Sequence, residues 1–123
     1  MNILLAKNFI AEAAINPFRI IKLGAADGQV LQAAAVADKS IGVSTDIAAA
    51  INERCDVIVA GEADVQYGGA VARGDLLTTD ANGKAVVAAP GAGVNNRIIG
   101  VALVAGVLDD IGRVAISQSM MQG

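Results

Sequence analysis

Histidine and tryptophan are absent from this 123-residue chain, cysteine and tyrosine occur once each, and the aromatic residues are Phe9, Phe18 and Tyr67. Each shortage narrows what the protein does. Without histidine the usual general base and metal ligand are missing, so an enzyme here would work with carboxylates or lysines alone. The single Cys55 has no partner for an internal disulfide. With no histidine to activate it, it reads as a small strand residue rather than a nucleophile. A core with so few rings is built from small, closely approaching layers.

Charge of one sign is lacking too. Nine Lys and Arg stand against twelve Asp and Glu, a net charge of −3, and the basic residues are scattered. Nucleic-acid binding rests on a basic patch, often with aromatic platforms, and this chain has neither. No uncharged apolar run is long enough to span a membrane as a helix. The opening residues Met1 to Lys7 lack the basic start and long apolar stretch of a signal peptide, so no secretory leader is expected.

What is present points to strands. Over half of the residues are hydrophobic, 54%, and among the larger ones Val and Ile outnumber Leu, a balance that favours β-structure. Fourteen glycines supply turns. The clearest stretch is Val65 to Ala89: an apolar run, a turn at Arg73-Gly74-Asp75, Leu76 to Thr79, then Asp80-Ala81-Asn82-Gly83 before Lys84 to Ala89. Asn-Gly between two β-forming runs predicts a hairpin with a type I′ turn, since both residues tolerate positive φ.

Taken in order, Met1 to Asn16 has an apolar opening and an alanine-rich end, closed by Pro17, which pushes Asn16 out of the α region. It reads as an N-terminal arm over residues 1–16. A strand of the main sheet is a rival, and a short helix over Phe9 to Ala14 a third option. One β-rich domain then fills residues 17–123. Phe18 to Leu23 and Gln29 to Ala33 flank an Asp27-Gly28 turn, Ile41-Gly42-Val43 follows, and Cys55 to Ala60 is a further strand. Residues 45–54 are open between a capped helix and a wide connection, because Thr45 or Asp46 can cap and alanine favours helix.

The second half repeats the first. Arg19-Ile20-Ile21 through Asp27-Gly28-Gln29-Val30 aligns with Gly74-Asp75-Leu76 through Asn82-Gly83-Lys84-Ala85, an offset of 55 residues. Ile41-Gly42-Val43 recurs as Ile99-Gly100-Val101, and Val57-Ile58-Val59 as Val114-Ala115-Ile116, at offsets of 58 and 57. Half-repeats over about 18–60 and 73–117 imply a mainly β fold, a small pseudo-symmetric barrel or sandwich with an N-terminal arm.

Three motifs imitate sites. Asp80-Ala81-Asn82-Gly83 resembles part of a calcium loop, but Lys84 and an apolar run stand where further oxygen ligands are needed. Arg73-Gly74-Asp75 is a tripeptide that adhesion receptors read, here placed at a turn. Gly91-Ala92-Gly93 lacks the Lys-Ser or Lys-Thr of a phosphate loop. No catalytic, cofactor or metal residue is assigned.

The order of residues carries a resemblance. Val65, Gly69, Val71, Gly74-Asp75, Asp80, Gly83 and Ala85 come first, then Ile99-Gly100-Val101-Ala102-Leu103, then Gly112 with Val114. This succession resembles the head-decoration, or capsid-cement, proteins of tailed bacteriophages and prophages, best from Val57 to Ile116. One departure is internal: Gly112 precedes the second closing strand, where the first copy has Asn52-Glu53-Arg54. The resemblance implies a non-enzymatic virion protein that meets the host cytoplasm during assembly. It implies binding to the major capsid protein as a homotrimer on the capsid exterior, stabilising the mature shell. Neither nucleic acid nor membrane is a partner in that reading. The apolar opening nominates Ile3, Leu4, Leu5, Phe9 and Ile10 as contacts with the coat or with an adjacent decoration subunit, since exposed apolar segments mark interfaces; the rival is that Ile3, Leu5 and Ile10 complete the domain's own barrel. The alternative is a small β-barrel carrier, with Lys84 as the lysine in its hairpin, or an adaptor domain of another assembly.

Overall fold

The computed structural model describes residues 2–123, and among them every regular element is a β-strand. In chain order these are β1 (Ile3–Ala11), β2 (Ile20–Leu23), β3 (Gln29–Gln32), β4 (Ser40–Ser44), β5 (Arg54–Gln66), β6 (Leu76–Thr79), β7 (Ala85–Val87), β8 (Asn95–Ala102) and β9 (Ile111–Gln122). The expected mainly β fold is what forms. Neither helix option is realised. Phe9 to Ala11 belongs to β1, and residues 45–53 are a wide connection tied back by an Ile15–Ala49 bridge.

The strands make two successive rings that share β5. In the first, β2 pairs with β3 and β4, β4 with the start of β5, and β1 closes the circle by pairing with both β3 and β5. In the second, β6 pairs with β7 and β8, and β8 with β9. The end of β5 now takes the part of β1: it pairs antiparallel with β9 and bridges in parallel to β7 through Tyr67 and Ala85. The Ile15–Ala49 bridge recurs as Val71–Gly106. Gly61, in the middle of β5 with a φ of 94°, lets one strand serve both rings.

The repeat is therefore real and longer than the hairpins suggest. It takes in β1 and Ile15: β1 runs antiparallel along β5 from Ile3 opposite Gly61 to Ile10 opposite Arg54, and Ile15 bridges to Ala49. The register also moves the alignment of the first strands by one residue. Ile20 lies opposite Val43 as Leu76 lies opposite Val101, so Ile20 matches Leu76. The difference arises because the turn after Leu23 is one residue longer than the turn after Thr79, as the flanking pairs Leu23–Val30 and Thr79–Ala85 show.

Turn chemistry explains both hairpins. Gly28 and Gly83 have φ of 77° and 75°. Asn82 does not share the positive φ, so the turn is not the expected type I′. Instead Asp80 organises it: its Oδ1 accepts from Asn82 N at 2.8 Å and from Lys84 N at 2.9 Å. Gly42 and Gly100 have a different reason to be glycine. A Cβ at Gly42 would lie 2.2 Å from the Ile58 carbonyl oxygen, and one at Gly100 would lie 2.0 Å from that of Ala115. Only a hydrogen side chain permits that approach.

Ala11, Ile15, Ile21, Val30, Ala49, Cys55 and Val57 fill the first ring. Their counterparts Tyr67, Val71, Leu77, Ala85 and Val114 fill the second, in a cluster that continues through Ile20, Val43 and Ile58 to join the halves. Burying side chains of this size contributes roughly 1.5–3 kcal/mol each.

Candidate functional site

Several side chains with reactive groups are committed to structure. Cys55 is buried in the first ring, and burial, reinforced by the neighbouring Asp56 charge, pushes its thiol above the usual range. That disfavours the thiolate a nucleophile needs. Tyr67 is wholly buried, and burial raises its phenol despite a hydrogen bond involving the Arg113 backbone; its hydroxyl donates to the Val104 carbonyl at 2.6 Å. Lys84, the lysine on which a carrier would depend, is mostly buried, with Nζ 2.6 Å from Asp109 Oδ1. A lysine held in this way is not presented for modification. Arg73-Gly74-Asp75 is a tight turn, in which Asp75 Oδ2 accepts from Ala72 N and Gly74 has a φ of 88°. The Gly91-Ala92-Gly93 loop is pinned by the C-terminus, with Gly123 N donating to the Val94 carbonyl at 2.8 Å. Among the described residues, no three metal-ligating side chains cluster.

What the surface does offer is apolar. Leu4 on β1 is 78% exposed, with Ile3 and Leu5 about half exposed beside it. Of the five residues nominated from sequence, these three stand free. Phe9 and Ile10 are half-buried, and Phe9 packs against the core of the first ring. An open groove of about 290 Å³ lies next to Ile3, lined also by Phe18, Ser44, Thr45, Asp46, Ile58 and Asp64.

Two further patches escaped sequence reasoning. The connections before β5 and β9 each carry exposed aliphatic residues: Ile47 and Ile51 in the first, Val104, Val107 and Leu108 in the second. Both are held rigid in the same way. Glu53 Oε1 accepts from Ala50 N, and Asp110 Oδ2 accepts from Val107 N. The other patch is on the second half, where Leu76 at the start of β6 and Val87 at the end of β7 are exposed. Comparing the exposure of the two halves is the signal that reveals them.

No family model matches this chain, and no curated protein does. Among solved structures, the N base of head fiber protein gp8.5 of bacteriophage phi29 is similar. The likeness has a TM-score of 0.69 at 17% identity and covers 97% of this chain and 98% of that one. The whole arrangement of strands is thus a fold seen before, at an identity that shows the fold alone.

Proposed function

We propose that this protein is a non-enzymatic structural component of a phage head, bound to the outside of the capsid as a homotrimer and stabilising the mature shell. The observation that carries this reading is the end-to-end match in fold with the base of a phage head fiber. It agrees with the resemblance to decoration proteins drawn from residue order. The exposed Ile3, Leu4 and Leu5 on β1 suit them to contact a coat subunit, as burial of such side chains drives association. Phe9 and Ile10 lie half-buried farther along the same strand, with Phe9 packed against the core of the first ring. Many weak contacts, repeated over a lattice, add up through effective concentration. Because the protein binds the intact shell, it shifts the balance between intact and opened states by mass action.

The direct test mixes purified protein with mature shells lacking their external proteins, then measures co-sedimentation and DNA release on heating. Stoichiometric binding that raises the release temperature is expected. Absence of binding to shells of the phage that encodes it overturns the reading. Changing Leu4 to Asp then locates the contact: binding falls while the melting temperature of the free protein stays within a few degrees of the original.

A further inference from the structure

We propose that the apolar face left open by the second half is covered by the first half of another copy, repeating between chains the contact that joins the halves within one. This specifies the self-association stated above and rests on it. Within the chain, the turn of the second half docks on the first. Ile20 N donates to the Gly83 carbonyl at 2.8 Å, and Arg19 Nη1 and Gln32 Nε2 both donate to the Asn82 carbonyl. Under that contact Ile20 is 1% exposed, and Val43 and Ile58 are buried with it.

The counterparts on the second half have no such cover. Leu76 matches Ile20 and is 36% exposed, and Val87, which matches Gln32, is 37% exposed. Val101 and Ala115, which match the buried Val43 and Ile58, are only partly buried. The docking side shows the converse. Gly83 is buried, whereas Gly28, its match in the first half, is exposed, and a Cβ there would meet nothing within 4 Å. One half thus carries an open acceptor site and the other an unused turn, apolar at Leu76 and Val87 on the one and glycine and alanine flanking Asp27 on the other. The occupant that fits the face is the one already seen on its equivalent.

The contact between copies differs in one respect. Asp75 and Val87 replace Arg19 and Gln32, and Asp27 replaces Asn82, so the two side-chain donors to the turn are lost, two carboxylates enter, and apolar burial holds the copies against their repulsion, which salt screens. Each copy uses its turn once and its face once, a heterologous contact that closes into a ring, with three copies matching the proposed trimer.

Light scattering and sedimentation on the full chain test this. The wild-type protein is expected to self-associate, and Leu76→Asp with Val87→Asp should weaken association by at least about tenfold. Val87→Asp alone, a milder change at an exposed site, serves if the double variant fails to fold. A chain carrying Asp27→Cys and Val87→Cys should be captured as covalent oligomers by a short bis-maleimide, since these positions match Asn82 and Gln32. A monomeric wild-type protein overturns the proposal. So does an oligomer that survives the face variants, or one that gives no covalent product. Shell binding is read separately on the same preparations: self-association without shell binding sinks the capsid reading and leaves this contact standing.

Discussion

The two rings solve one packing problem with opposite distributions of volume. In the first ring, the positions on β1, in the loop before β5 and at the start of β5 hold Ala11, Ala49 and Cys55. In the second, the matching positions hold Tyr67, Gly106 and Gly112. One ring of large area is inserted, and both of its neighbours become glycine. The fit is tight: a Cβ at Gly112 would lie 2.0 Å from Tyr67 Cζ, and one at Gly106 would lie 2.8 Å from Tyr67 Cδ2. The departure from the repeat at Gly112 is thus the counterpart of the aromatic ring. It teaches that the repeat conserves enclosed volume rather than residue type.

The largest effect should come from breaking that exchange. Tyr67→Ala empties the second ring and should cost about 3–5 kcal/mol, as large-to-small changes in a rigid core do. Gly112→Cys alone should also be severely destabilising, because a buried ring and backbone must move apart. Combining Tyr67→Ala with Gly106→Ala and Gly112→Cys writes the first ring's solution into the second. The triple variant is expected to be more stable than Tyr67→Ala, a non-additivity measured by urea unfolding. Strictly additive losses would show that the rings are not interchangeable.

Much of this was legible in sequence where the cause is local. The turn glycines and the Ile-Gly-Val strands stood out because a positive φ or a close strand approach demands one residue type. Placing β1 in the repeat was not legible. Its key positions, Ala11 and Ile15, match Tyr67 and Val71 and share no identity with them, since only their summed volume is constrained. The shared strand was hidden for a related reason: Cys55 to Gln66 reads as one strand followed by a loop until Gly61 is seen to redirect it. The candidate surface divided in the same way. Ile3 to Leu5 announced themselves as an apolar opening, whereas Leu76 and Val87 are two apolar residues among many in short strand runs. Alternation reports the face of a strand, and says nothing about whether a partner covers it.

A smaller difference between the halves concerns acid. Asp38, between β3 and β4, has no matching carboxylate in the connection between β7 and β8. Burial pushes the Asp38 carboxyl up, but hydrogen bonds from Ala34 N and Ala35 N and the paired Lys22 ammonium outweigh it, leaving it below the usual value. A depressed carboxylate stabilises the fold above its unfolded pKa, about 3.9, and that contribution fades as pH falls through the lower folded value. Hydrogen exchange at Ala34 and Ala35, followed below about pH 4, should therefore accelerate before exchange in β6 and β7. Asp38→Asn should give the faster exchange already at neutral pH. Simultaneous acid loss in both halves would contradict this.

The finest comparison is between Asn52 and Asp109, matched residues just before β5 and β9 with φ of 68° and 69°. Both occupy the left-handed region, where glycine is least strained and where asparagine and aspartate are tolerated. Replacing either with glycine relieves the backbone but adds freedom to the unfolded chain, terms that nearly cancel. Asn52→Gly is accordingly expected to leave stability within about 0.5 kcal/mol of the original. Asp109 carries more: its Oδ1 accepts from Lys84 at 2.6 Å and from Gln66 Nε2 at 3.3 Å. The side chain is 57% exposed, so water and salt screen the pair. Asp109→Gly should fall below Asn52→Gly by about 0.5–1 kcal/mol at low salt, with the gap narrowing as salt is added. Urea unfolding of both variants at two ionic strengths reads this directly. Equal stabilities at low salt would mean that the ion pair adds nothing, and that the two loops differ in sequence alone.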